Sequence, residues 1–414
     1  MSIVSHNPVD YIRNLQQLLA SDKKIIGFLF GAGTSLVKNP KTDKPYVPAI
    51  AKMTQLILEE IKNKPEYNKA IDELRIELDG NFTVETLLSR LELKKQAVGK
   101  GKLNGLDQKG IENLIASIKE EVHKLASVHN DIDCDQLVHT QFANWIGRAN
   151  RQYGVEIFTT NYDYLFEVAL ENCSIPYYDG FAGSYKPFFD AESVEDLHYL
   201  CQRTKLWKIH GSLGWHYDID SRHIIRSSSD KSDILIYPSA LKYDQSRKQP
   251  YTALGDRLSA FVKKPDTVLL VAGYSFGDDH INERLNTALV SNPRGHIYVL
   301  YYDRIIGDGK ISYSFTEDCQ LAKLAKSNTK ISVFAIRSAV IGGVYGKWRL
   351  KNEPDKNDSI NIDIYYDEDA CCEPADGGKE LIWTGEGCLK IPDFSDFVRF
   401  LSSMIYDHSD ANIK

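Results

Sequence analysis

Ile25-Ile26-Gly27-Phe28-Leu29-Phe30-Gly31-Ala32-Gly33-Thr34-Ser35 is the stretch that decides how this chain folds. Its apolar run is too short for a buried helix and ends in glycines, so it reads as a buried strand followed by a tight turn of small residues. Ahead of it, Asn7-Pro8 opens a short amphipathic helix with Tyr11, Ile12, Leu15, Leu18 and Leu19 on one face. Three later stretches repeat the arrangement. Residues 155–158 run into Thr159-Thr160-Asn161-Tyr162-Asp163, residues 206–209 into His210-Gly211-Ser212, and residues 267–272 into Gly273-Tyr274-Ser275.

Further apolar runs at 234–237, 297–302 and 331–336 complete the set. Strands separated by helical segments imply right-handed crossovers, so the predicted fold class is α/β with a Rossmann-like parallel sheet. All four segments then emerge at the carboxyl edge, where open α/β sheets bind ligands.

Each segment has a chemical and a bland reading. Gly31 and Gly33 lack side chains where backbone N–H groups can approach a pyrophosphate at a helix start, and Thr34 and Ser35 offer hydroxyl donors. A simple strand-to-helix turn of small residues is the competing reading. Asn161 and Asp163 place an amide and a carboxylate two residues apart at a strand end, where they can share a crevice or cap the next helix. His210 brings an imidazole that titrates near neutrality and can take a hydroxyl proton, although lone histidines are more often structural. Gly273 and Ser275 suit a second phosphate or ribose contact, and Asp278 or Asp279 reads as a helix N-cap. Asp303, after the 297–302 strand, suits the hydroxyls of an adenosine ribose or a solvated turn.

The chain has 414 residues, of which 43% are hydrophobic and 26% charged, the composition of an ordinary globular protein. A net charge of -7 gives no electrostatic footprint for nucleic acid or an anionic membrane, so direct nucleic-acid binding is not indicated. No apolar stretch reaches bilayer length and residues 1–19 have no signal-peptide core, so a cytoplasmic location is expected. Seven cysteines, including the adjacent Cys371-Cys372, form no Cys-x-x-Cys pair, and no metal site is predicted.

Taken in order, the four segments resemble those of the sirtuins, and more closely the sirtuin-like proteins of bacterial anti-phage defence. The similarity spans about residues 25–303. It implies that Gly31, Ala32, Gly33, Thr34, Ser35, Thr160, Gly273, Ser275 and Asp303 hold NAD as substrate. It further implies that Asn161 and Asp163 line the nicotinamide and ribose pocket and that His210 is the general base. The sequence departs from sirtuins in two places: residues 215–232 contain no cysteine where they carry a four-cysteine zinc module, and no Pro-Asp-Phe-Arg run follows Ser35. Both departures weigh against protein deacylation. The resemblance therefore implies an NAD hydrolase acting as an abortive-infection effector, gated by homo-oligomerisation or by a HerA-like hexameric ATPase. The alternatives are an NAD- or ADP-ribose-binding regulatory subunit, a nuclease subunit and a deacylase.

The domain organisation follows. Residues 1–350 are expected to form a sirtuin-like catalytic domain carrying a helical insertion at about 48–150, with helices near 50–61 and 84–93. Residues 351–414 turn polar and acidic before a last amphipathic helix at 395–405, and read as an appended element for assembly.

Overall fold

The computed structural model describes residues 4–129, 132–227, 249–307, 309–355, 358–371 and 382–405. Ten strands form its main sheet: β1 (Ser5–His6), β2 (Ile25–Phe30), β3 (Glu156–Thr159), β4 (Tyr177–Tyr178), β5 (Thr204–Lys208), β6 (Thr267–Ala272), β7 (His296–Tyr301), β8 (Ile331–Ala335), β9 (Ser338–Ile341) and β10 (Val344–Trp348). Their spatial order is β1-β10-β9-β8-β7-β6-β2-β3-β5-β4. All neighbours run parallel except those of β9. The α/β class with a parallel-dominated sheet is what the apolar runs predict. The run at 234–237 lies outside the described residues.

From β2 the chain builds outward through β3 to β5, then returns to the opposite flank of β2 with β6, β7 and β8. The strand order therefore reverses between β2 and β6, the kind of point at which open α/β sheets bind ligands. The register is informative: Phe30 pairs with both Ala272 and Thr159, and Thr159 pairs with Lys208. The four motif-bearing strands thus end in one row, and the segments after them leave the sheet side by side.

Both faces of the sheet are covered, so its strands are apolar on successive residues rather than on alternate ones. One face takes Ile26, Phe28, Phe30, Leu270 and Ala272 into a core with α1 (Pro8–Ala20), α6 (Val138–Arg148) and α7 (Leu165–Asn172). The other takes Leu29, Phe158, Trp207, Leu269 and Val271 against α9 (Tyr251–Lys263), α10 (Asp279–Val290) and α11 (Gln320–Ser327), α8 being the short helix Ala191–Glu195. Arg257 of α9 reaches under this layer to Glu156, with bonds of 2.7 and 2.9 Å, and Trp207 Nε1 donates to the same carboxylate at 2.8 Å.

Between β2 and β3 lie α2 (Ile50–Ile61), α3 (Pro65–Leu78), α4 (Val84–Ala97) and α5 (Gln108–Ala126), which bury a core of their own. Ile111, Leu114, Ile115, Ile118 and Val122 form the apolar stripe of α5, capped by Asp107 accepting from the Gly110 amide at 2.8 Å. Thr83 and Thr86 cap α4 reciprocally. In the expected insertion at about 48–150, α6 packs differently: Phe142 and Trp145 stack edge-on against Phe28, within the main core.

The segment after residue 350, expected as an appended element, packs its last helix against the sheet. Helix α12 (Phe394–Ser403) buries Phe394, Phe397, Val398, Phe400 and Leu401 in the main core. Phe394 meets Phe30 at 5.4 Å and Phe397 meets Phe28 at 6.2 Å between ring centroids. Within the acidic stretch before this helix, Ile360, Ile362, Tyr365 and Tyr366 join the same core, which composition alone does not show.

Candidate functional site

At the reversal point the two glycine segments touch backbone to backbone. The Gly33 amide donates to the Gly273 carbonyl at 2.8 Å, and the Gly31 amide donates to that of Ala272 at 3.1 Å. A Cβ on Gly33 would lie 2.6 Å from Gly273 Cα, and Gly273 itself has φ +65°, where side chains are disfavoured. The Thr34 amide turns back onto the Gly31 carbonyl at 3.0 Å, within a short 3₁₀ turn at Ala32–Leu36. These three amides are spent inside the fold. The glycines therefore serve the close approach of two strand ends, whereas the sequence suggested amides free to face a pyrophosphate.

A cavity of about 490 Å³ opens over this junction. Ala32, Gly33, Ser35, Thr160, Asn161, Asp163, His210, Gly273 and Ser275 all line it, so the structure brings these nine expected residues together. Gly31 and Thr34 are not among the lining residues; Thr34 is fully buried and its hydroxyl donates to the Gly31 carbonyl at 2.9 Å.

Asp303 is not brought to the cavity. Its carboxylate accepts the amides of Ile336 at 3.1 Å and Phe315 at 3.2 Å, tying β8 and the preceding segment to the end of β7. Burial pushes its carboxyl up, and the backbone amides oppose that shift. A strand-end acid looks the same in sequence whether it faces a ribose or backbone amides; here two buried amides claim it.

The floor is a chain of side-chain hydrogen bonds. Asn161 Nδ2 donates to Ser35 Oγ at 2.8 Å, Thr34 Oγ1 at 3.0 Å and the Gly31 carbonyl at 3.1 Å. Ser35 Oγ in turn donates to Asp163 Oδ2 at 2.7 Å, while Asp163 Oδ1 accepts the Leu165 amide at 3.1 Å at the start of α7. Asp163 thus both caps and faces the crevice. Buried Lys208 supports it from below, donating to the Asp163 carbonyl and to Glu167 Oε1, the latter at 2.7 Å. Burial raises the Glu167 carboxyl despite the Lys208 charge.

His210 stands at the end of β5, buried, with Nε2 at 3.1 Å from Asp278 Oδ2. The other oxygen of Asp278 accepts the amides of His280 at 3.1 Å and Ile281 at 3.4 Å, capping α10. The Tyr274 hydroxyl has two acceptors within reach, Asn282 Oδ1 at 3.1 Å and the Asp278 carbonyl at 3.2 Å. Burial first, and the Asp278 charge second, push the Tyr274 phenol up, so it stays a neutral donor.

The roof comes from the helical module, through Ile50 and Met53 of α2 and Glu85 of α4. Sequence reasoning missed these residues, as it missed the pairing of Asp278 with His210. Nothing local signals contacts made across such separations; only the GYS segment's place after a strand hinted that Asp278 lay near the site.

Residues 155–322 match the model of the SIR2-like domain. That span holds Asn161, Asp163, His210, Gly273 and Asp278 and leaves out the first glycine segment. A search of curated proteins returns no match. Among solved structures, a complex of a triple mutant of Sir2 homologues with 2′-O-acetyl ADP ribose is 15% identical, covering 69% of this chain and 83% of that chain with a TM-score of 0.33. Strands Trp215–Asp218 and His223–Arg226 form a hairpin whose Trp215 packs on Phe181 at 5.0 Å. Among the described residues no three His, Cys, Asp or Glu side chains gather as a metal site, and no helix is long and apolar enough to cross a membrane.

Proposed function

We propose that this protein is an NAD hydrolase that cleaves the nicotinamide–ribose bond, releasing nicotinamide and ADP-ribose. One observation carries the reading: Asn161, Asp163 and His210 converge with both glycine segments on a single cavity at the strand-order reversal. The SIR2-like match over 155–322 supports it. Bond cleavage asks little of the protein, because the C1′–N pair leaves with nicotinamide and neutralises its ring charge. The developing oxocarbenium character at C1′ is then met by water. His210 takes the proton of that water or of a ribose hydroxyl, Asn161 orients the diol or the water through its amide oxygen, and Asp163 shapes the nicotinamide end through Ser35.

A cytoplasmic enzyme of this kind must be held in check. Gating by homo-oligomerisation or by a HerA-like ATPase, in an abortive response to phage, is the role we assign from the resemblance of the four ordered motifs. The test is NAD loss and ADP-ribose formation by the chain, alone and with a HerA-like hexameric ATPase. His210→Ala and Asn161→Ala should each lower turnover by about 100-fold or more while the protein still melts cooperatively. Unchanged NAD loss in both variants would refute the assignment.

A binding-only regulatory subunit is the second reading. Its support is the Asn161 amide nitrogen, already committed to Gly31, Thr34 and Ser35 and therefore acting as a brace for the loop. NAD retained without product by every assembly would select it.

A further inference from the structure

We propose that this protein carries a second ligand site, for a flexible aliphatic polyamine, in a cleft behind the segment that holds Asn161 and Asp163. It goes beyond the hydrolase reading and does not depend on it.

The cleft encloses about 920 Å³ and, among the described residues, shares no lining residue with the cavity over the glycine junction. The two are neighbours all the same. Asp163 lines one and Tyr164 the other, and His210 lines one and Ser212 the other. These two segments form the partition, tied together where the Leu213 amide donates to the Tyr162 carbonyl at 3.1 Å.

Charge sets the class of ligand. The described lining residues carry three carboxylates, Glu167, Glu171 and Asp179, against two permanent cations, Lys208 and Arg226. Both cations are already engaged. Lys208, with a side chain only 3% exposed, donates to Glu167 Oε1 at 2.7 Å and to the Asp163 carbonyl, and Arg226 donates to Asp179. An anion would have to break these pairs, whereas a cation meets acceptors that remain: Glu167 Oε2 is buried with no hydrogen-bond partner among the described residues. An ammonium N–H supplies what such an oxygen lacks. Burial pushes the Glu167 and Asp179 carboxyls up although Lys208 and Arg226 stand beside them, so added positive charge is stabilising there.

The walls suit an alkylammonium chain as well. Lys208 Nζ lies 5.2 Å over the Tyr164 ring and Arg226 Cζ lies 5.4 Å over that of Phe181, so ring faces in this cleft already hold cations. Tyr177 and Trp215 extend the aromatic surface on which methylene segments can pack. The acids stand at two places, Glu167 and Glu171 one turn apart on α7 and Asp179 just after β4. A chain bearing several ammonium groups reaches both, and a single amine reaches one.

The test is equilibrium dialysis of the full chain against radiolabelled spermidine in low-salt buffer, without NAD. We expect saturable binding, weakened by about tenfold or more in Glu167→Gln and in Asp179→Asn. Glu171→Gln changes an exposed side chain, so it serves if those variants do not fold, and it should weaken binding by about threefold or more. Asp43→Asn, at a side chain 84% exposed and outside the cleft, should stay within about twofold of wild type. Butylamine, with a single ammonium group, should bind at least about tenfold more weakly than spermidine.

No saturable binding, or an affinity unmoved by Glu167→Gln and Glu171→Gln, would overturn the proposal. So would an equal loss in Asp43→Asn, which means a general attraction to an acidic chain, or butylamine binding as tightly as spermidine. Because NAD takes no part in the assay, failure of the hydrolase reading leaves its result untouched.

Discussion

His139 lies on α6 with neither ring nitrogen partnered among the described residues, its ring set against Phe166 at 4.6 Å and Phe394 at 5.1 Å. Burial drives its pKa from 6.5 down to about 3, so it is neutral in the folded protein at every ordinary pH. The unfolded chain binds a proton below pH 6.5 that the folded chain refuses, so the stability present above 6.5 is lost as pH falls toward 3. His139→Leu removes both the unpartnered nitrogens and this proton linkage. Urea unfolding at pH 7 should show a gain of about 1–2 kcal/mol, larger at pH 5 than at pH 7. A loss at both values would mean that the ring has a partner it cannot spare.

At the scale of elements, the junction of β2 with β6 tolerates least. In Gly33→Ala the new methyl would meet Gly273 Cα at 2.6 Å, where the turn after β2 lies against the backbone that follows β6, with no side chain able to yield. A cost of about 1–3 kcal/mol and weakened NAD binding should follow, read by melting with and without ligand. Gly307→Ala, with nothing within 4 Å of its Cβ position among the described residues, should stay within about 0.5 kcal/mol of wild type. Equal effects at the two glycines would count against the close-approach account.

This junction was legible in sequence because an apolar run ending in Gly-Ala-Gly or Gly-Tyr-Ser carries its own local reason. The six strands β2, β3, β5, β6, β7 and β8 could be placed within a residue or two on the same ground. Strands β1, β4, β9 and β10 could not, since two-residue strands and short antiparallel pairings leave no distinctive run. Asp303 misled because a strand-end carboxylate carries no mark of which donors will surround it. The Asp278–His210 contact joins residues 68 positions apart, and helix-cap chemistry at Asp278 was the only part of it that local sequence could show.

At the scale of the whole molecule, α12 closes the main core. Phe394, Phe397, Val398, Phe400 and Leu401 all sit at 5% exposure or less, behind the strand that carries the first glycine segment. Each such side chain contributes roughly 1.5–3 kcal/mol on burial, and their sum rivals the net stability of a typical domain of about 5–15 kcal/mol. A chain ending at Asp393 should therefore lose its cooperative thermal transition by circular dichroism. A product that melts as the full chain does would show α12 to be dispensable.

Tyr162, between Asn161 and Asp163, packs against the separate core of the helical module, while its neighbours hold the sheet side of the crevice. The crevice is therefore a seam between two independently packed bodies, with Met53 and Glu85 on one bank and His210 on the other. A molecule lodged in such a seam acts as mortar, and affinity becomes a gauge of posture. Each 1 kcal/mol that a neighbouring molecule exerts on the alignment of the two banks shifts occupancy about fivefold without touching a single reacting atom.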